Sequence, residues 1–200
     1  MWAGLDDANP VRVGFSGRTI QIEIPKPQPY WTNVTIDTLT QRHMIRKGPD
    51  GCEVPWHQDE AYWDVEFEYQ AVGSWLALHD VPANMGAMQF IPGSHRQGVV
   101  EHGPLDGDVE RHLLIVDVDV SRAVTCPLRA GGATFHHPRA LHNTTPNTTD
   151  RARVAFPSKF QTAPVRRAEP AHRRWVDEWR AATGREAATG YQADGQLIPL

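Results

Sequence analysis

Residues 18–24 (RTIQIEI) alternate apolar and polar side chains, the period of a half-buried strand, and Pro25, Pro27 and Pro29 close it. Residues 34–44 (VTIDTLTQRHM) are β-branched and alternating, which predicts a second strand, and residues 47–51 (KGPDG) have the composition of a turn. Residues 66–81 hold the apolar run QAVGSWLALHDV. Its period fits strand or helix, but Gly73 inside it and PANMG at 82–86 after it select strand. Short strands are also expected at 87–91 (AMQFI), before the PGSH turn, and at 112–120 (HLLIVDVDV). Residues 134–141 and 151–161 frame the turn-rich NTTPNTTD and predict an antiparallel pair. A helix is expected at 169–183, where Trp175, Trp179 and Ala182 form one apolar stripe and Gly184 is a natural stop. Many short strands with one peripheral C-terminal helix make the chain mainly β, a sandwich or barrel.

Composition narrows the function. Two hundred residues, 40% hydrophobic and 22% charged, exclude a disordered or fibrous protein. They fit a single domain over residues 1–200, with a core at about 34–162. The net charge is −4 and no run of Lys or Arg exceeds a pair, so bulk electrostatics gives no reason to expect nucleic-acid binding. No apolar stretch is long enough for a membrane helix, and residues 1–10 lack the basic start and apolar centre of a signal peptide. Cys52 and Cys126 make no disulfide framework, and reduced thiols in a cytoplasmic protein are expected. The pattern specifies no oligomeric state.

Of the ten histidines, His79, His95, His102, His112 and His172 lack a ligand partner at useful spacing. His57 differs. In WHQDEAYW (56–63), His57 and Asp59 are two apart and project to one face of an extended backbone. Imidazole and carboxylate on one side supply two-thirds of a facial metal triad, an arrangement that leaves coordination positions open for oxygen chemistry. The stretch FHHPRALHN (135–143) offers His136, His137 and His142 as a third ligand, and strand parity does not choose among them because Pro138 interrupts the register. Further on, Arg153 falls on an apolar strand, where a buried guanidinium needs an anion. A bound carboxylic acid or an internal Asp or Glu would serve.

Four blocks from about Gln41 to Gln161 resemble the phytanoyl-CoA dioxygenase family of Fe(II)/2-oxoglutarate-dependent oxygenases. They are the strand from Gln41 to Lys47, PWHQDEAYW at 55–63, NMGAMQFIPGSHRQG at 84–98 and AGGATFHHPRALHNTTPNTTDRARVAF at 130–156. The order of His-x-Asp, PGSH, a distal His and an Arg eleven residues beyond it matches His142 and Arg153. The resemblance implies a double-stranded β-helix (jelly roll, cupin-like) in which His57, Asp59 and His142 hold Fe(II). It further implies that Arg153 binds the distal carboxylate of 2-oxoglutarate, with Thr144 and Gln41 as further contacts to this cosubstrate. A carboxylate at Asp59 implies oxygen transfer, since related halogenases have Gly or Ala there. The reaction implied is hydroxylation of a C–H bond of a small-molecule substrate by O2, with release of succinate and CO2. Relatives carry a longer N-terminal region, so elements flanking the barrel are expected to be trimmed or to lie outside this sequence.

Two other readings compete: a cupin-like metal enzyme that uses no 2-oxoglutarate, and a degenerate jelly roll that only binds. Arg153 separates the first from the oxygenase, and the complete triad speaks against the second. Trp56, Tyr62 and Trp63 flank the metal pair as barrel packing or as a wall for an apolar or cyclic substrate, while Glu60 and Asp64 read as solvated loop acids or as partners for a cationic group.

Overall fold

The computed structural model describes residues 12–16, 19–23, 38–42, 44–104, 113–115 and 118–183. Among them, two antiparallel sheets form the body. The first runs β11 (Val124–Cys126), β8 (Met88–Phe90), β13 (His142–Thr144), β5 (Val54–His57). The second runs β12 (Ala133–His136), β7 (Ala71–Ala77), β14 (Arg153–Gln161), β3 (Thr38–Arg42), with β4 (Ile45–Lys47) also pairing with β14. Three two-stranded ribbons accompany them: β1 (Arg12–Ser16) with β2 (Thr19–Glu23), β9 (His102–Pro104) with β10 (Leu113–Ile115), and β6 (Phe67–Glu68) with β15 (Val165–Arg166). Helix α1 (Arg174–Thr183) follows. This mainly β, cupin-like architecture is the one the strand pattern and the resemblance led us to expect.

Alternation explains what each sheet buries. Trp75, Ala77, Met88, Phe90, Cys126 and Ala155 join Val81, Met85 and Ala87 in one apolar cluster. Pro157 sits inside the central strand β14, a position that normally excludes proline. It falls where the partner on one side changes, since β4 ends opposite Ala155 and β3 takes over at Ser158. The missing N–H therefore costs no ladder bond on that side. A second cluster, Val65, Trp175 and Val176, packs α1 onto the chain just after the His-x-Asp motif.

Several expectations need correction. Residues 134–141 are not one strand and do not pair with 151–161. β12 ends at His136, a turn containing Pro138 carries the chain across to the other sheet, and β13 begins at His142. β7 lies between β12 and β14. Lys47 does not open a turn but ends β4, 9% exposed. The strand expected at 112–120 is described only as β10, and Val120–Arg122 is a turn of 3-10 helix capped by Asp119. The helix begins at Arg174, later than its apolar period suggested. Trp175 and Val176, in the first turn, are buried, while Ala182 is exposed. The Trp179 side chain and the expected stop at Gly184 lie outside the described residues.

Candidate metal centre

Strands β5 and β13 are neighbours, and His57 and His142 face each other directly across the ladder. Their ring centroids are 4.2 Å apart. His57 Nδ1 lies 2.8 Å from the Pro55 carbonyl, and His142 Nδ1 lies 2.8 Å from that of Ala140. A carbonyl only accepts, so Nδ1 carries a proton in both rings, and in the neutral form of each ring Nε2 is the nitrogen that can ligate. Both Nε2 atoms lie toward Asp59, whose Oδ1 is 3.9 Å from that of His57 and 3.6 Å from that of His142.

Asp59 is not on a strand. Gln58 is still extended (φ −125°, ψ 131°), which keeps Asp59 on the His57 face, and a 3-10 turn then runs over Asp59–Tyr62. Parity therefore ends before Trp63, which packs instead at 4.8 Å against the Tyr69 ring, 4% exposed. The donors of His57, Asp59 and His142 lie within 4.8 Å of one another. Ligands on one face of an ion, with bonds of ~2.1 Å at about right angles, stand ~3.0 Å apart, so the 3.6 and 3.9 Å Oδ1–Nε2 separations close onto a single cation with an inward shift of less than ~1 Å. Burial and the neighbouring His57 push the His142 imidazole down to about 3, which leaves it neutral and ready to ligate at pH 7. Burial raises the Asp59 carboxyl, but attraction to His142, His136 and His57 when they are protonated, together with a hydrogen bond from His136, outweighs it and puts the group well below the usual carboxylate value.

His136 enters this centre too. Its Nε2 is 3.4 Å from Asp59 Oδ2, and its ring fills the space over Gly73, where a Cβ would meet Nε2 at 2.5 Å. The spacing of the distal His and Arg had set His136 aside as a ligand; the structure places it against the outer oxygen of the acid.

Arg153 begins β14 opposite Lys47 and is 2% exposed. Its guanidinium lies over the Trp75 ring, 5.0 Å from the centroid, and among the described residues nothing accepts a hydrogen bond from Nε or Nη1. Burial lowers it to about 10, still charged at neutral pH. No internal carboxylate of the described residues pairs with it. Trp75 Nε1 is likewise buried without a partner. Lys47 Nζ donates to Thr144 Oγ1 at 2.9 Å and to the Thr145 carbonyl at 2.7 Å. Thr144 thus accepts from the lysine and keeps its own O–H to give. It lies two residues beyond His142 on β13, roughly 6.6 Å along a strand, the reach of a short dicarboxylic acid. Gly86, at φ +76°, completes the wall: a Cβ there would come within 2.9 Å of Lys47 and 3.4 Å of Arg153. Gln41 lies in β3 with its Cα opposite Lys159, and the contact expected of its side chain falls outside the described residues.

Lys47, Trp75 and His136 are thus polar or aromatic groups of this centre that motif reading did not assign. Lys47 was hidden by the turn-like KGPDG, and Trp75 by an apolar run in which it read as packing.

A mainly β, cupin-like fold that gathers two histidines and one carboxylate on one face has the donor set of the non-haem Fe(II) oxygenase class, and a buried arginine stands with no carboxylate partner among the described residues. The chain belongs to the phytanoyl-CoA dioxygenase (PhyH) family, whose pattern it matches over residues 22–155. It is similar to the solved structure of EvdO2 from Micromonospora carbonacea var. aurantiaca, also solved in complex with 2-oxoglutarate. That match has 40% identity and a TM-score of 0.65, over 68% of this chain and 56% of that one. It is 32% identical over 127 residues to phytanoyl-CoA dioxygenase domain-containing protein 1 of Rattus norvegicus, covering 60% of this chain and 44% of the relative. It is 29% identical over 134 residues to L-proline trans-4-hydroxylase of Streptomyces griseoviridis, covering 56% of this chain and 49% of the relative. The chain therefore spans less than half the length of these two curated relatives. Among the described residues no helix is long and apolar enough to cross a membrane.

Proposed function

We propose that the protein is an Fe(II)/2-oxoglutarate-dependent dioxygenase that hydroxylates a C–H bond of a small molecule. One observation carries the cosubstrate assignment: a charged, buried Arg153 guanidinium with no carboxylate partner among the described residues. A lone buried cation is costly, and a bidentate carboxylate relieves that cost. A cupin-like enzyme without a 2-oxo acid has no use for it.

In this reading, Fe(II), O2 and 2-oxoglutarate together supply the oxidising power, with succinate and CO2 as by-products. His57, Asp59 and His142 hold one face of the ion and leave the other open. Arg153 takes the far carboxylate, Thr144 donates its O–H to the same group, and Lys47 holds Thr144 in the rotamer that lets it do so. Trp75 walls the cosubstrate, and Gln41 is assigned a contact with it. Trp63 and Tyr69, both buried, pack ring against ring beside the motif loop, and the Tyr62 ring stands 6.4 Å from that of His57. Likeness to a proline hydroxylase and retention of the Asp59 carboxylate both favour hydroxylation.

The test is succinate formation from 2-oxoglutarate in the presence of Fe(II), together with the visible charge-transfer band of the anaerobic Fe(II)/2-oxoglutarate complex. Both are expected in the wild type and lost in His57→Ala and Asp59→Ala. Full turnover in both variants would overturn the ligand assignment.

A further inference from the structure

Asp59 stands between two side chains that point the other way and are fully buried, Gln58 and Glu60, each 0% exposed. Gln58 is bonded at every polar atom. Its amide nitrogen donates to the carbonyls of Gly98 (2.9 Å) and Arg139 (2.6 Å), its Oε1 accepts from Val100 N–H, and its own N–H donates to His102 Nε2. Glu60 is an acid in the protein interior. Arg139 grips its carboxylate with a two-point fork, Nε to Oε2 at 2.7 Å and Nη2 to Oε1 at 3.0 Å. Arg173, 6% exposed, reaches Oε1 at 3.1 Å and donates to the Glu60 carbonyl as well, and Arg167 stands 4.0 Å away.

These partners come from the two segments that matter for the ligands. Arg139 lies in the turn that delivers His142, and the same turn accepts Glu60 N–H on the Pro138 carbonyl at 3.1 Å. Arg173 directly precedes α1. The segment before it follows the motif loop with backbone bonds of its own, Arg167 N–H to Glu66 and Ala171 N–H to Val65, and Trp175 Nε1 donates to the Ala61 carbonyl. One carboxylate thus ties the Asp59 turn to the His142 turn and to the C-terminal segment.

We propose that Glu60 is a positioning residue for the metal ligand Asp59, with Arg139 and Arg173 as its clamps, so that the segment at 167–175 sets the affinity of a metal centre it does not touch. The inference rests on the ligand assignment above. Stability alone is a weak reason for a buried ion cluster, because apolar side chains of similar volume stabilise as well or better. Outer partners that orient ligands, by contrast, change metal affinity by about 10–100-fold when removed.

The experiment is Co(II) titration of the whole protein at 10 °C, read by visible absorption and calorimetry, with unfolding temperatures measured in parallel. The Glu60→Gln variant keeps the volume and loses the charge; it is expected to bind Co(II) about 10–100-fold more weakly and to show altered Co(II) bands. Arg139→Lys keeps the charge and loses the fork; it is expected to weaken binding in the same direction and decides the matter if Glu60→Gln does not fold. Val81→Ala, in the apolar cluster away from these groups, supplies a comparable loss of unfolding temperature and is expected to leave the dissociation constant within about twofold. Glu60→Gln and Arg139→Lys with wild-type affinity and bands, despite lowered unfolding temperatures, would overturn the proposal and leave the ligand assignment standing. A wild type that takes up no Co(II) would overturn both.

Discussion

Replacing Arg153 by methionine separates what the residue does for the fold from what it does for a ligand. The fall of its guanidinium from 12.5 to about 10 on burial is a penalty of roughly 3 kcal/mol on the charged form, at ~1.36 kcal/mol per tenfold. Two buried nitrogens without a partner account for a penalty of this size, since each buried polar group left unsatisfied costs about 1–3 kcal/mol. Against that stands the contact with the Trp75 face, worth about 1–2 kcal/mol when desolvated. Methionine fills similar volume without charge, so without ligand the Arg153→Met protein is expected to be more stable than wild type by roughly 1–2 kcal/mol. For a chain of this size that raises the midpoint by about 2–8 °C. Adding 2-oxoglutarate with Mn(II) should reverse the order: at a hundred times its dissociation constant the cosubstrate stabilises wild type by about 2.7 kcal/mol and the variant not at all. Urea and thermal unfolding with and without 2-oxoglutarate measure both. A ligand-free variant destabilised by more than about 1 kcal/mol would mean the guanidinium has a partner inside the protein, and undiminished protection by 2-oxoglutarate would remove Arg153 from its site.

Gly73→Ala puts a methyl group 2.5 Å from His136 Nε2 and is expected to cost about 1–3 kcal/mol in urea unfolding, a cost that His136→Ala largely removes in the double variant. An additive pair would show that the ring is not what the methyl meets. His102 is lowered by burial from 6.5 to about 4, so the unfolded chain takes up its proton first as pH falls. Its contribution is complete above pH 6.5, is lost between 6.5 and 4, and levels off below that. Wild-type stability should therefore fall across this window more steeply than that of His102→Gln, by at most ~1.4 kcal/mol per pH unit; parallel profiles would contradict this. Cys126 is buried and raised to about 12, whereas Cys52 is exposed. Iodoacetamide at pH 8 should modify Cys52 in the native protein and reach Cys126 only on unfolding, as peptide mass analysis would show.

How much of this was legible before the coordinates follows from where each partner lies in the chain. His57 and Asp59 are two residues apart on backbone that stays extended through Gln58, so local parity was enough to pair them. His142 needed the resemblance, because Pro138 and the passage between sheets break any local count. The supposed strand pair at 134–161 failed for the same reason: both halves alternate correctly, but alternation reports which face is buried and not which sheet receives the strand. Glu60 was the largest misreading. An acid beside a loop is normally solvated, and the guanidiniums that overturn this lie 79 and 113 residues further on. Lys47 was missed likewise, its acceptors on Thr144 and Thr145 lying 97 and 98 residues away.

Because His57 and His142 form a cross-strand pair, their separation belongs to the ladder, where facing Cβ atoms stand ~4.5–5.5 Å apart however much chain connects them. Changes of length elsewhere in the chain therefore leave the two-imidazole distance untouched as long as the β5–β13 register holds. A single-residue slip in that register turns one ring outward and abolishes the pair. The centre thus tolerates changes of length at a distance and none in alignment.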